Sequence, residues 1–164
     1  MLGTLPEQLL LSTLLVSTTV VIHLVGLDLL THLTGLHLRR FMSAWRHVDR
    51  MLVPLGIVMG LFVLHGVEIW LYAFAYRLGG ILPTIEQALY FSVSAYSTVG
   101  MSGPVLPMEW RIVGVLEAIN GMLLLGWSTA FLFQMLARIS DPEEDAHPLP
   151  KGAIARKVRA RRHD

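Results

Sequence analysis

The residues best suited to chemistry in this 164-residue chain are Thr98-Val99-Gly100. A turn of small residues bares backbone carbonyls, and the threonine hydroxyl adds another neutral oxygen. Rows of such oxygens replace the hydration shell of a monovalent cation. The stretch that holds the turn, Ala88 to Gly103, is moderately apolar and too short to cross a bilayer. Longer apolar segments precede and follow it. This is the layout of a re-entrant loop, in which a half-membrane helix leads into non-helical backbone. Membranes tolerate such backbone only where protein or a water-filled cavity encloses it.

Other residues suit proton or metal chemistry. His65 and Glu68 lie three apart, on one helix face. Ionisable groups inside an apolar span are costly and often functional, which suits a proton sensor or a metal site. Two groups leave a zinc sphere incomplete. The preferred expectation is a hydrogen-bonded pair that reaches the Ser/Thr/His face of the first helix. Glu117, with Asn120 nearby, fits a buried polar network better than an ion site. Asp28 and His32, four apart, suit pairing at the membrane interface. No nucleophile and base fall at a workable spacing, and no His-Glu-x-x-His occurs, so no enzyme is expected. The chain has no cysteine, which excludes disulfides and thiolate ligands.

The elements that must position these residues are membrane helices. Hydrophobic residues make up 54% of the chain and charged ones 15%, against about a quarter charged in soluble proteins. Mean hydropathy is +0.58. Residues 1–38 read as a retained transmembrane helix, because the apolar run is too long for a leader and lacks a basic start. Ser12, Thr13, Ser17, Thr18, Thr19 and His23 stud it. Residues 39–50 set Arg39, Arg40, Arg46 and Arg50 against Asp49, which places this loop in the cytoplasm and the N-terminus outside. An outer helix follows over 51–76. Pro54 falls in its first turn, Gly56, Gly60 and Gly66 allow close packing, and Trp70, Tyr72 and Tyr76 suit the outer interface. Residues 84–97 form a short helix capped by Thr84, with Gln87 three residues on. Residues 98–103 form the turn, and 110–138 the inner helix. Residues 139–164 switch from acidic to basic, as expected of a disordered cytoplasmic tail drawn to anionic lipid. The fold class is an all-α membrane protein with three transmembrane helices plus a re-entrant helix and loop. One loop supplies one wall of a conduit, so several copies must close it.

Ala88-Leu89-Tyr90-Phe91-Ser92-Val93, then Ser97-Thr98-Val99-Gly100, then Trp110-Arg111, Gly121 and Gly126-Trp127-Ser128-Thr129-Ala130 form an ordered set. The set resembles the pore module of the tetrameric potassium-channel superfamily, and most of all small bacterial channels of two pore helices. Here one N-terminal helix is added. The resemblance covers about residues 84–136, with 51–76 as outer helix. It implies a homotetrameric channel of a bacterial inner membrane, with potassium as the permeant ion. It implies no cofactor, no nucleic acid and no partner beyond further copies and lipid. The filter it implies is Thr98, Val99, Gly100, Met101 and Ser102, with potassium held by the Thr98 hydroxyl and the carbonyls of Thr98, Val99 and Gly100. Tyr90, Phe91 and Ser94 are the residues behind that filter. Gly121 is either the gating hinge or a site of close packing under the pore helix.

The family continues Thr-Val-Gly with Tyr-Gly-Asp, where this chain has Met101-Ser102-Gly103. Methionine lacks the tyrosine hydroxyl and is more flexible. A left-handed backbone at Ser102 costs roughly 1–2 kcal/mol per chain. The Asp and its pore-helix partner are both replaced, by Gly103 and Ser94. The alternatives to a potassium channel are a weakly selective monovalent cation channel and a non-conducting, channel-like assembly subunit.

Overall fold

The computed structural model describes residues 4–41, 46–100 and 106–140. They form four helices: α1 (Leu5–Phe41), α2 (Arg46–Leu78), α3 (Ile85–Tyr96) and α4 (Met108–Ser140). No strand occurs among the described residues. Leu5–Leu36, Leu52–Leu78 and Trp110–Arg138 are long and apolar enough to cross a membrane. At 12 residues, α3 is about 18 Å long, short of the roughly 30 Å of a hydrocarbon core. The chain is an all-helical membrane protein.

Contacts divide the chain into a compact unit through Leu132 and another from Phe133 onward. The described part of the second unit is the end of α4, through Ser140.

Within the first unit the helix directions follow from residue pairs. A Cβ on Gly26 of α1 would run into the Leu64 side chain of α2, and one on Gly60 of α2 would run into Leu30 of α1. Pairs 26/64 and 30/60 descend on one helix as they ascend on the other, so α1 and α2 are antiparallel. Each glycine is the socket for the other helix's leucine, the small-residue packing that brings membrane helices close. Gly56 and Gly66 face open space and play no such part.

Local chemistry sets the ends of α3. Gly80, at φ +69°, leaves α2 in a left-handed turn. The Ile81 amide bonds the Tyr76 carbonyl and the Gly80 amide bonds that of Arg77, the double bond pattern of a Schellman cap. Thr84 then caps α3, its hydroxyl accepting from the Gln87 amide at 3.2 Å. The core of this end gathers Leu15, Tyr72, Tyr76, Phe91, Trp110 and Val113.

Three features differ from the sequence expectation. Helix α1 continues to Phe41 and α2 starts at Arg46, so much of the basic segment 39–50 is helical. That segment contains neither glycine nor proline to stop a helix. Pro54 consequently lies inside α2 rather than in its first turn. Its missing N–H removes the helix bond that the carbonyl of residue 50 would otherwise accept from position 54, outside the Leu52–Leu78 span, where water can serve that carbonyl. Tyr72 and Tyr76 are fully buried and only Trp70 is exposed, because both phenols have polar partners inside the protein.

Candidate functional site

Helix α3 runs antiparallel to α2. Phe91 meets Tyr76 edge-on at 5.1 Å between centroids, the Ser92 hydroxyl donates to the Ile69 carbonyl at 2.9 Å, and the Tyr96 hydroxyl donates to Glu68. His65 and Glu68 lie midway along the Leu52–Leu78 span. The α3 C-terminus therefore stops near the middle of the membrane, and its last carbonyls point onward from there.

At that depth the backbone leaves the helix. Ser97 caps α3, and its amide bonds the Val93 carbonyl. Thr98 takes φ +57° and Gly100 φ +82°, while Val99 between them stays negative. Left-handed backbone costs a non-glycine residue roughly 1–2 kcal/mol, and such strain gathers at functional sites. Thr98, Val99 and Gly100 are all exposed, Val99 at 81%. Met101 and Ser102, the outer part of the expected filter, and Gly103 lie outside the described residues.

The residues expected behind the filter separate. Phe91 is buried between Tyr76 and Gly114, against the α2 and α4 side. Ser94 is buried and Tyr90 is 53% exposed. Gly121 lies where α4 passes the foot of α3: a Cβ there would strike the Tyr96 carbonyl group and ring. Helix α4 continues unbroken through it.

Two carboxylates, each completely buried, organise the polar interior. Glu117 accepts from the Tyr76 hydroxyl at 2.6 Å and the Ser92 hydroxyl at 2.5 Å, which ties α4 to α2 and α3. The Asn120 amide donates to the Thr19 hydroxyl of α1 at 2.8 Å. Glu68 gathers His23 of α1 (Nδ1 to Oε1, 2.9 Å), His65 of its own helix (Nδ1 to Oε2, 3.2 Å) and the Tyr96 hydroxyl. His65 Nδ1 also lies 2.9 Å from the Tyr96 oxygen. On the far side, Ser128 of α4 meets His65 Nε2 at 2.9 Å and His23 Nε2 at 3.4 Å. His65 and Glu68 thus do join the Ser/Thr/His face of α1. Asp28 and His32 form an exposed pair at 3.6 Å, away from this interior.

Tyr96, Ser128, Ser92 and Tyr76 belong to these networks although their sequence positions gave no warning. His23 had one. Gln8, Ser12, Thr19 and His23 are all buried, and their spacings of four, seven and four residues trace one face of α1.

Comparison with protein families matches residues 57–138 to the family described as "Ion channel". The chain belongs to the ion channel family. The match starts within α2 and ends on α4, so it holds most of these two long helices and the short α3 between them, consistent with a potassium-channel-type pore module. Helix α1 lies outside the match, yet the channel binds it through Glu68, Asn120 and Ser128. No curated protein and no solved structure matches the chain significantly. Family membership favours a transport role for the channel over an enzymatic one.

Proposed function

We propose that the protein is a homotetrameric cation channel that conducts potassium through four copies of Thr98 to Ser102. The observation that carries this reading is the exposed, non-helical backbone at Thr98–Gly100, at the mid-membrane end of α3. Lipid cannot cover such backbone, so further copies must enclose it around an axis. Thr98 and Gly100 are left-handed with Val99 between them, and the exposed carbonyls of such a non-helical segment are the groups that replace a cation's water. The C-terminal end of α3, with its negative partial charge, points toward the same place. The channel sits in a bacterial inner membrane with its N-terminus outside and its basic segment 39–50 and tail toward the anionic inner leaflet. Helix α1 packs on the periphery of the ring. Gly121, pressed against Tyr96, serves both as close contact and as the point where α4 bends on gating.

Met101-Ser102-Gly103 favours a second reading, a monovalent cation channel of weak selectivity. Reversal potentials under potassium/sodium exchange separate the two. A shift toward the potassium equilibrium potential supports the first, and a value near zero supports the second. Native mass measurement of the purified protein tests the tetramer, and a monomer or dimer as the conducting species would overturn it.

A further inference from the structure

Five side chains from all four helices close a ring: Glu68 to His23 (2.9 Å), His23 to Ser128 (3.4 Å), Ser128 to His65 (2.9 Å), His65 to Tyr96 (2.9 Å), and Tyr96 back to Glu68. Five links require five hydrogens, and the cross-contact of His65 Nδ1 with Glu68 Oε2 (3.2 Å) falls on the same nitrogen as the Tyr96 link and adds no hydrogen of its own. With Glu68 ionised and both imidazoles neutral, the ring holds four: one on each imidazole, one on Ser128 and one on Tyr96. One link then sets two lone pairs against each other, and the buried cluster carries a net negative charge. A single further proton removes both defects at once. It gives every link a hydrogen and makes the ring neutral, whether it rides on Glu68 or on an imidazole.

We infer that Glu68, His23, Ser128, His65 and Tyr96 form a proton-binding site of one proton, joined to the pore through Tyr96. The groups facing this site are His23 from α1, His65 and Glu68 from α2, Tyr96 from α3, and Ser128 with the Trp127 ring (5.7 Å from His23) from α4. Tyr72 of α2 and Glu117 of α4 also act on Tyr96 through their charge, although Glu117 is hydrogen-bonded to Tyr76 and Ser92 rather than to the ring. A metal ion fits the same residues less well. Ligands at 2.0–2.1 Å in a tetrahedron stand about 3.3 Å apart, whereas His23 and Glu68 touch at hydrogen-bond distance, 2.9 Å.

The position of the ring gives the proton something to act on. Tyr96 is the last residue of α3 and lies two residues before left-handed Thr98. Its carbonyl abuts Gly121. Loss of the proton breaks one link of the ring and loosens the foot of the pore helix at the filter entrance.

Site-assigned nuclear magnetic resonance of the ¹³C,¹⁵N-labelled full chain in lipid bilayers counts the protons directly. At pH 7 the expected result is one excess proton, seen as a protonated Glu68 carboxyl or as one imidazolium. An ionised Glu68 between two neutral imidazoles at pH 7 would overturn the assignment, and so would two imidazoliums. Cutting the ring with Ser128→Ala leaves three links and three hydrogens with no extra proton needed, so occupancy at pH 7 falls at least twofold, while Ser128→Thr keeps it. Unchanged occupancy in Ser128→Ala contradicts the ring. Coupling to the pore rests on the conduction reading above. Thallium flux from liposomes is expected to change over the pH interval in which the proton is lost, and flat flux there overturns the coupling. Absence of flux at every pH counts against conduction instead and leaves the proton count standing.

Discussion

The ring around Glu68 and the turn at Thr98–Gly100 come within two residues of each other in the chain, at Tyr96 and Thr98. In the ring every polar group finds a partner inside one chain, and Glu68, His23 and Tyr96 are almost wholly buried. In the turn the backbone is left-handed at two positions and exposed at all three. The first region is complete in a single copy, since four helices converge on it. The second is finished only by what surrounds it. On the function proposed above, one chain builds its own support for the pore, and the pore itself needs more copies.

If this division is right, substitutions in the two regions act on different readouts. Glu68→Ala leaves His23, His65 and Tyr96 facing an empty site, and each buried polar group left without its partner costs about 1–3 kcal/mol. The expected outcome is a large drop in thermal stability in detergent, with unaltered ion preference in whatever protein survives. Gly121→Ala drives a methyl group into the Tyr96 backbone, and overpacking of this kind costs about 1–3 kcal/mol. Both stability and flux should fall, because the contact touches support and filter together. Thr98→Gly relieves left-handed strain worth roughly 1–2 kcal/mol per chain, offset by glycine's greater backbone entropy. Stability then changes little while the reversal potential moves, since the hydroxyl is gone. Asn120→Ala removes the bond to Thr19, and interhelical hydrogen bonds in membranes average about 0.6 kcal/mol. Its expected signature is faster hydrogen exchange in α1 with unchanged ion preference. Asp28→Asn, in an exposed pair, should stay within about 0.5 kcal/mol of the parent on the same melting curves.

Local chemistry made several elements legible in the sequence. Thr84 caps α3 as its spacing from Gln87 implies. Segment lengths gave three spans and one half-span. The inward faces were harder to read. A helix that is apolar all round carries no amphipathic mark of its buried side, and α1 buries Gln8, Ser12, Thr19, His23 and Thr34 while exposing Leu10, Leu14, Val21, Val25 and Leu29. Tyr72 and Tyr76 misled for a related reason: tyrosine suits an interface, and only the presence of Glu117 and Asn120 on another helix draws these two inward. The Glu68 ring draws on residues from 23 to 128, and no local spacing announces such a set. Gly121 was legible as a special position, and the Tyr96 backbone beside it supplies the physical reason.

The conduction claim is tested most directly by recording current through the purified, intact oligomer in planar bilayers with potassium on one side and sodium on the other. The account predicts current that reverses on the potassium side of zero and is altered by Thr98→Gly. Silence from a folded, intact oligomer, or a current indifferent to Thr98, would contradict it.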